Sequence, residues 1–157
     1  MKKMKHVEDS LTEQTYLLMH RHINGYGRLF GGQLLMWIDE LAGIVATRHS
    51  ECRITTASID NLNFKKAAFL NDTVVLIGKI THVGRSSMEV RVDTYVETLD
   101  GMRHVINRAY VVMVAIDEEG KAVPVPGLIV ETESEKAEWE VGEKRYQLRK
   151  QRRLEGF

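Results

Sequence analysis

Apolar residues between positions 33 and 50 point in nearly every direction when placed on a helical wheel. Leu34, Leu35, Trp37, Ile38, Leu41, Ala42, Ile44, Val45 and Ala46 leave almost no polar face. A helix of that kind is buried rather than laid on a surface, so something large must wrap it. The rest of the chain supplies strands. Residues Leu11 to Met19 read as a short one, and His20 to Phe30, with Asn24, Gly25 and Gly27, reads as a loop. After Cys52 the segments Ile54–Phe64, Thr73–Val83, Met88–Thr98 and Val105–Ile116 are rich in Val, Ile, Thr and Tyr. The third alternates, with Met88, Val90, Val92, Thr94 and Val96 on one face and Glu89, Arg91, Asp93, Tyr95 and Glu97 on the other. Short turns at Leu70–Asp72, Val83–Ser87 and Leu99–Gly101 make these strands antiparallel neighbours. The pattern predicts an α+β fold, an antiparallel sheet of about five strands around one long buried helix.

The only two prolines, Pro124 and Pro126, mark the end of the sheet. Residues 10–123 are expected to form the folded domain and 124–157 a charged extension. Its last part, Glu143 to Arg153, suits an exposed basic helix.

Composition narrows the function classes. The 157 residues carry 22 Lys+Arg and 22 Asp+Glu, a balance unlike that of a duplex-DNA binder, so no nucleic-acid partner is expected. The single cysteine, Cys52, cannot form an intramolecular disulfide and fits a reducing compartment. The basic start gives way to Val7-Glu8-Asp9-Ser10 where a signal peptide needs apolar residues, and no membrane-length apolar run occurs. A cytoplasmic protein is expected.

Asp39 is the most informative residue. Its wheel neighbours are Leu35, Met36, Ala42, Gly43 and Ala46, and a carboxylate among apolar and small groups must be paired or face a cavity. It could serve chemistry, or it could be an edge carboxylate hydrogen-bonded to a neighbouring strand or subunit. Gly31 and Gly32 just before the helix would let a ligand approach unpaired N–H groups at its positive end, or they could form a plain turn. Similarly, Gly84-Arg85-Ser86-Ser87 could receive a phosphate or be a hairpin turn with an exposed arginine. His20 and His22 lack further ligands at metal spacing, so no metal is expected.

Taken together, Asn24-Gly25-Tyr26-Gly27-Arg28-Leu29-Phe30-Gly31-Gly32, then Ile38-Asp39-Glu40-Leu41-Ala42-Gly43, resemble the acyl-CoA hydrolases of hotdog fold. Thr56-Ala57-Ser58-Ile59-Asp60, Asn63-Phe64-Lys65 and Val83 to Met88 are similar to later parts of the family pattern, in the right order. One departure is His22, where bacterial members often have Asp. The resemblance implies a hotdog fold and hydrolysis of acyl-CoA thioesters to free acid and CoA. It further implies Asp39 as catalytic carboxylate, Asn24 as its partner in positioning water, and the Gly32 and Gly31 N–H groups as the oxyanion site. Gly84, Arg85, Ser86 and Ser87 are implied to bind CoA. Asp39 and Asn24 are implied to come from different subunits of a dimer, within a hexamer built as a trimer of dimers. No cofactor is implied, CoA being part of the substrate and a product. A hotdog module that binds acyl-CoA without turning it over is the competing reading.

Overall fold

The structure, a computed structural model, describes residues 3–60 and 62–157; Asn61, within the predicted strand Ile54–Phe64, and the first two residues lie outside the described residues. In chain order the elements are β1 (Met4–His6), β2 (Thr12–Leu17), α1 (Gly31–Ser50), β3 (Arg53–Asp60), β4 (Thr73–Val83), β5 (Ser87–Glu97), β6 (Arg103–Ile116), β7 (Gly127–Ile129) and α2 (Glu133–Glu155), with two single 3₁₀ turns near the start. Five strands form one antiparallel sheet in the order β2-β4-β5-β6-β3. The sheet and the helix expected from the sequence are both present.

The inner face of the sheet holds Val74, Leu76 and Ile80 of β4, Met88, Val90 and Val92 of β5, and Val111 and Met113 of β6. These pack against Leu34, Trp37, Ile38, Leu41 and Val45 of α1. Burying each such side chain contributes about 1.5–3 kcal/mol, so this layer is the main stabilising term. Gly78 marks the closest approach of helix to sheet. A Cβ there would lie 3.1 Å from Val45 and 3.4 Å from Leu41. Within one chain, however, α1 is not covered all round. Leu35 and Ile44 are half-buried and Met36 is exposed. The apolar wheel therefore overstates what a single copy can bury.

The outer face differs from expectation. Alternation puts Glu89 and Asp93 of β5 on the face opposite Met88 and Val92, and both are buried there. The cover is α2, which starts at Thr132, whose side chain accepts from the N–H of Glu135, and runs across β4 and β5. Arg145 donates to both Glu89 carboxylate oxygens, at 2.9 and 2.8 Å, and Thr81 Oγ1 donates at 2.7 Å. Burial pushes the Glu89 carboxyl up, but the Arg145 and Thr81 hydrogen bonds outweigh it and hold its pKa below the ordinary value. Arg145 also stacks 3.7 Å above the Tyr110 ring. The short parallel pair β1–β7, which the sequence pattern did not suggest, lies outside the main sheet.

Strand β3 forms one edge of the sheet. Its Thr55, Thr56 and Ala57 are exposed, and its register shifts between Thr56 and Ser58. No helix of the described residues is long and apolar enough to cross a membrane.

Candidate active site

Asp39 lies near the middle of α1, facing the edge strand. Thr56 Oγ1 donates to its Oδ1 at 2.7 Å and also lies 3.4 Å from the sulfur of Met113. The second carboxylate oxygen accepts nothing from a described residue, and it is not among the buried unpaired atoms, so it reaches solvent. One oxygen is thus fixed and the other left available. Thr56 was visible in the sequence only as part of a longer motif. Its single clue was a hydroxyl on the strand that follows the helix.

Asn24 sits in a tight turn ahead of the helix. Its Oδ1 accepts from the N–H groups of Tyr26 (2.9 Å) and Arg28 (3.2 Å), and its main-chain carbonyl accepts from Gly27 at 3.1 Å. Gly27 takes φ +75°, a conformation that favours glycine. Because the side-chain oxygen is spent on this turn, the exposed amide NH₂ is what Asn24 presents. It can therefore donate to an oxygen but not accept from one.

His22 steadies the loop ahead of α1. Its Nδ1 accepts from the Met19 N–H at 3.1 Å, and its ring meets Trp37 edge-on at 4.9 Å. Trp37 in turn stacks on Tyr16 at 4.1 Å. Burial, helped by nearby Arg21, lowers the His22 pKa, which favours the neutral acceptor form this contact needs.

Gly31 and Gly32 are the first two residues of α1 rather than its approach, with Phe30 as the N-cap and no side chain capping the helix. The Phe30 carbonyl accepts from Gln33 and Leu34, and the N–H groups of Gly31 and Gly32 find no acceptor among the described residues. They stand at the positive end of a 20-residue helix. Adding a Cβ at Gly32 would bring it within 2.6 Å of the Phe30 ring. A cavity of about 340 Å³ opens here, walled by Asn24, Gly31, Leu34, Phe64 and Lys65.

The expected residues thus fall into groups. Asn24 and Gly31 share this cavity, while Asp39 lines none of the main ones. At 1.5 Å rise per residue, Gly32 and Asp39 lie roughly 10 Å apart along the helix axis. Arg85, Ser86 and Ser87 line a separate cavity of about 400 Å³ on the outer face, together with Ser58 and part of α2. In this hairpin turn the Gly84 N–H donates to the Ser87 carbonyl at 2.9 Å, so it is spent on the turn itself.

The thioesterase superfamily model matches residues 26–101. An uncharacterised acyl-CoA thioester hydrolase of Bacillus subtilis, YkhA, is 42% identical over 71% of this chain and 66% of its own. The chain belongs to the acyl-CoA thioester hydrolase family. The rat cytosolic acyl coenzyme A thioester hydrolase is 37% identical over 77% of this chain; the chain spans only 32% of that relative's length. Among solved structures, an apo-hexameric acyl-CoA thioesterase is 40% identical with a TM-score of 0.91, covering 96% of this chain and 97% of its own. The acyl-CoA hydrolase of Staphylococcus aureus, seen with butyryl-CoA and CoA, is 31% identical with a TM-score of 0.92, covering 98% and 94%. These likenesses make the fold a hotdog. Variants of the S. aureus enzyme replace an asparagine, an aspartate and a threonine by alanine. Those three stand 15 and 17 positions apart in its chain, the same spacing as Asn24, Asp39 and Thr56 here.

Proposed function

We propose that this protein hydrolyses acyl-CoA thioesters to free acid and CoA. The observation that carries the reading is Asp39, held through one oxygen by Thr56 with its other oxygen open to solvent. In the reaction, that oxygen takes a proton from water as the water attacks the thioester carbonyl. The carbonyl oxygen gains charge and is held by the Gly32 N–H, with Gly31 beside it. The amide of Asn24 orients the water or the carbonyl through its free N–H. Collapse of the tetrahedral intermediate breaks the C–S bond, and the proton on Asp39 passes to the CoA sulfur. A positioned general base typically contributes about 10²–10⁴ in rate and one oxyanion donor roughly 10²–10³. Arg85, Ser86 and Ser87 would hold part of the CoA.

The site is built from two chains. A helix start and a carboxylate roughly 10 Å apart on one helix cannot both reach one carbonyl carbon. The free edge of β3 and the exposed Met36 side of α1 adjoin Asp39 and offer a second copy surfaces to cover. A second copy would bring its own Asn24 and Gly32 to this carboxylate. Hexameric assembly is proposed from the solved relative of that form at 40% identity, and a cytoplasmic setting from the cytosolic rat relative.

Asp39→Ala tests the reading by release of CoA thiol from acyl-CoA. Turnover is expected to fall by about 10² or more with the oligomer intact. A folded variant working at the wild-type rate would remove Asp39 from the chemistry. Bound acyl-CoA without any release by the unaltered protein would instead favour the binding-module reading.

A further inference from the structure

His22 lies in the loop between β2 and α1, yet it is only 7% exposed. It is tied in three ways. Its Nδ1 accepts from the Met19 N–H at 3.1 Å, and its own N–H donates to the Met19 carbonyl at 2.9 Å. Its carbonyl accepts from the Phe30 N–H at 2.9 Å. Phe30 is the N-cap of α1, directly before Gly31 and Gly32. Asn24 stands two residues after His22, in a turn closed by the Asn24 N–H on the Arg28 carbonyl at 2.8 Å. One residue thus joins the end of β2 to both the Asn24 amide and the helix start. Tyr26 and Phe30 of the same loop are exposed, so much of its shape rests on these polar ties.

Protonation reverses the ring's part. Nδ1 becomes a donor pointed at the Met19 N–H, and the contact is lost. The surroundings offer the added charge no anion. Arg21 beside the ring repels a proton, and Trp37 of α1 meets the ring at 4.9 Å. From β2, Tyr16 lies beyond Trp37, and the Leu17 carbonyl alone favours the charged form. Glu40 of α1 acts on the Tyr16 hydroxyl instead. No carboxylate comes within 4.0 Å of the ring among the described residues. We infer that His22 is a positioning residue: its neutral ring holds the Asn24 amide and the Gly31 and Gly32 N–H groups where they serve the carboxylate of a second copy, and its protonation releases them. This deepens the proposed hydrolase reading and rests on it. Burial, with Arg21, lowers the ring's pKa, so the neutral form persists below the ordinary histidine range. The activity it supports is present above that lowered value and is lost as pH falls through it.

The test combines kinetics with mixed assemblies. His22→Ala should lower kcat for acyl-CoA about tenfold, with KM within about twofold and the oligomer intact. His22→Asn, whose Oδ1 can still accept from the Met19 N–H but does not titrate, should restore most of the rate at neutral pH. It should also move the acid limb of the kcat profile to lower pH than in the wild type. Co-expressed with Asp39→Ala chains, His22→Ala chains should regain CoA release well above the average of the two parents. With Asn24→Ala chains they should not, because both changes damage the same half of the site. Recovery with Asn24→Ala instead overturns the inference, since it places the effect on the chain's own Asp39 through Trp37 and α1. So does an acid limb that is the same in His22→Asn as in the wild type. Recovery with both partners, or with neither while Asp39→Ala and Asn24→Ala chains complement each other, overturns it too. Should those two chains fail to complement, the two-chain site falls and the acid limb judges His22 alone. Wild-type protein that releases no CoA from any acyl-CoA would sink the hydrolase reading instead, and the Asn24 and Gly32 amide resonances, followed as the ring titrates, would still judge the loop.

Discussion

Thr56 decides which way the Asp39 carboxylate points. Its hydroxyl fixes one oxygen at 2.7 Å, which leaves the other aimed at the water it is proposed to activate. Hydrogen bonds to charged groups are worth about 1.5–3 kcal/mol, so losing this one should slow turnover by roughly 10–100-fold. Thr56→Val is therefore expected to lower kcat by that amount with KM little changed, and Thr56→Ser to keep most activity. A fall confined to KM would show that the hydroxyl acts on substrate binding instead. At this scale the sequence made Asp39 legible because a charge on an apolar helix stands out. It could not reveal Thr56, since one hydroxyl among several on a strand gains its meaning only from the residue across from it. Asn24 was legible as a position but not in its chemistry. Only the turn, which occupies Oδ1 with the N–H groups of Tyr26 and Arg28, shows that the side chain must donate.

Among the elements, α1 and the five strands followed from periodicity, because each buries one face against the other and the pattern records it. Of helix α2 only the last part, Glu143 to Arg153, followed, and as an exposed helix. Its charged sequence reads as a solvated surface, yet it lies over Glu89, and its charges are matched by charges on the sheet: Arg145 by Glu89, and Glu138 by Arg91. Pairing across elements leaves no trace in one-dimensional hydropathy. Gly142 is the closest contact, where a Cβ would lie 2.8 Å from the Cβ of His82 and 3.0 Å from Glu89 Oε1. Removing one partner of a buried pair typically costs about 3–5 kcal/mol, because the other is left without compensation. Arg145→Ala should accordingly lower the thermal midpoint clearly. Glu89→Met combined with Arg145→Met should recover most of the loss, since the apolar pair leaves no orphaned charge. An unchanged midpoint in Arg145→Ala would mean that α2 is not held by this pair.

At the level of the whole molecule, the single chain is unfinished. It leaves Met36 exposed on a helix whose pattern calls for burial, and β3 open along one edge. It also separates the carboxylate from the helix start that would receive the carbonyl oxygen. A second copy answers all three. The direct measurement is complementation between Asp39→Ala and Asn24→Ala chains, co-expressed with different tags and purified through both. In a two-fold assembly whose sites draw Asp39 from one chain and Asn24 from the other, each mixed dimer holds one intact site and one doubly damaged site, so purified mixed dimers regain about half of wild-type activity and hexamers assembled from chains at random about a quarter. CoA release well above the average of the two parent variants is the result expected. Activity equal to that average would mean that each chain carries both residues of its own site, and would contradict the account.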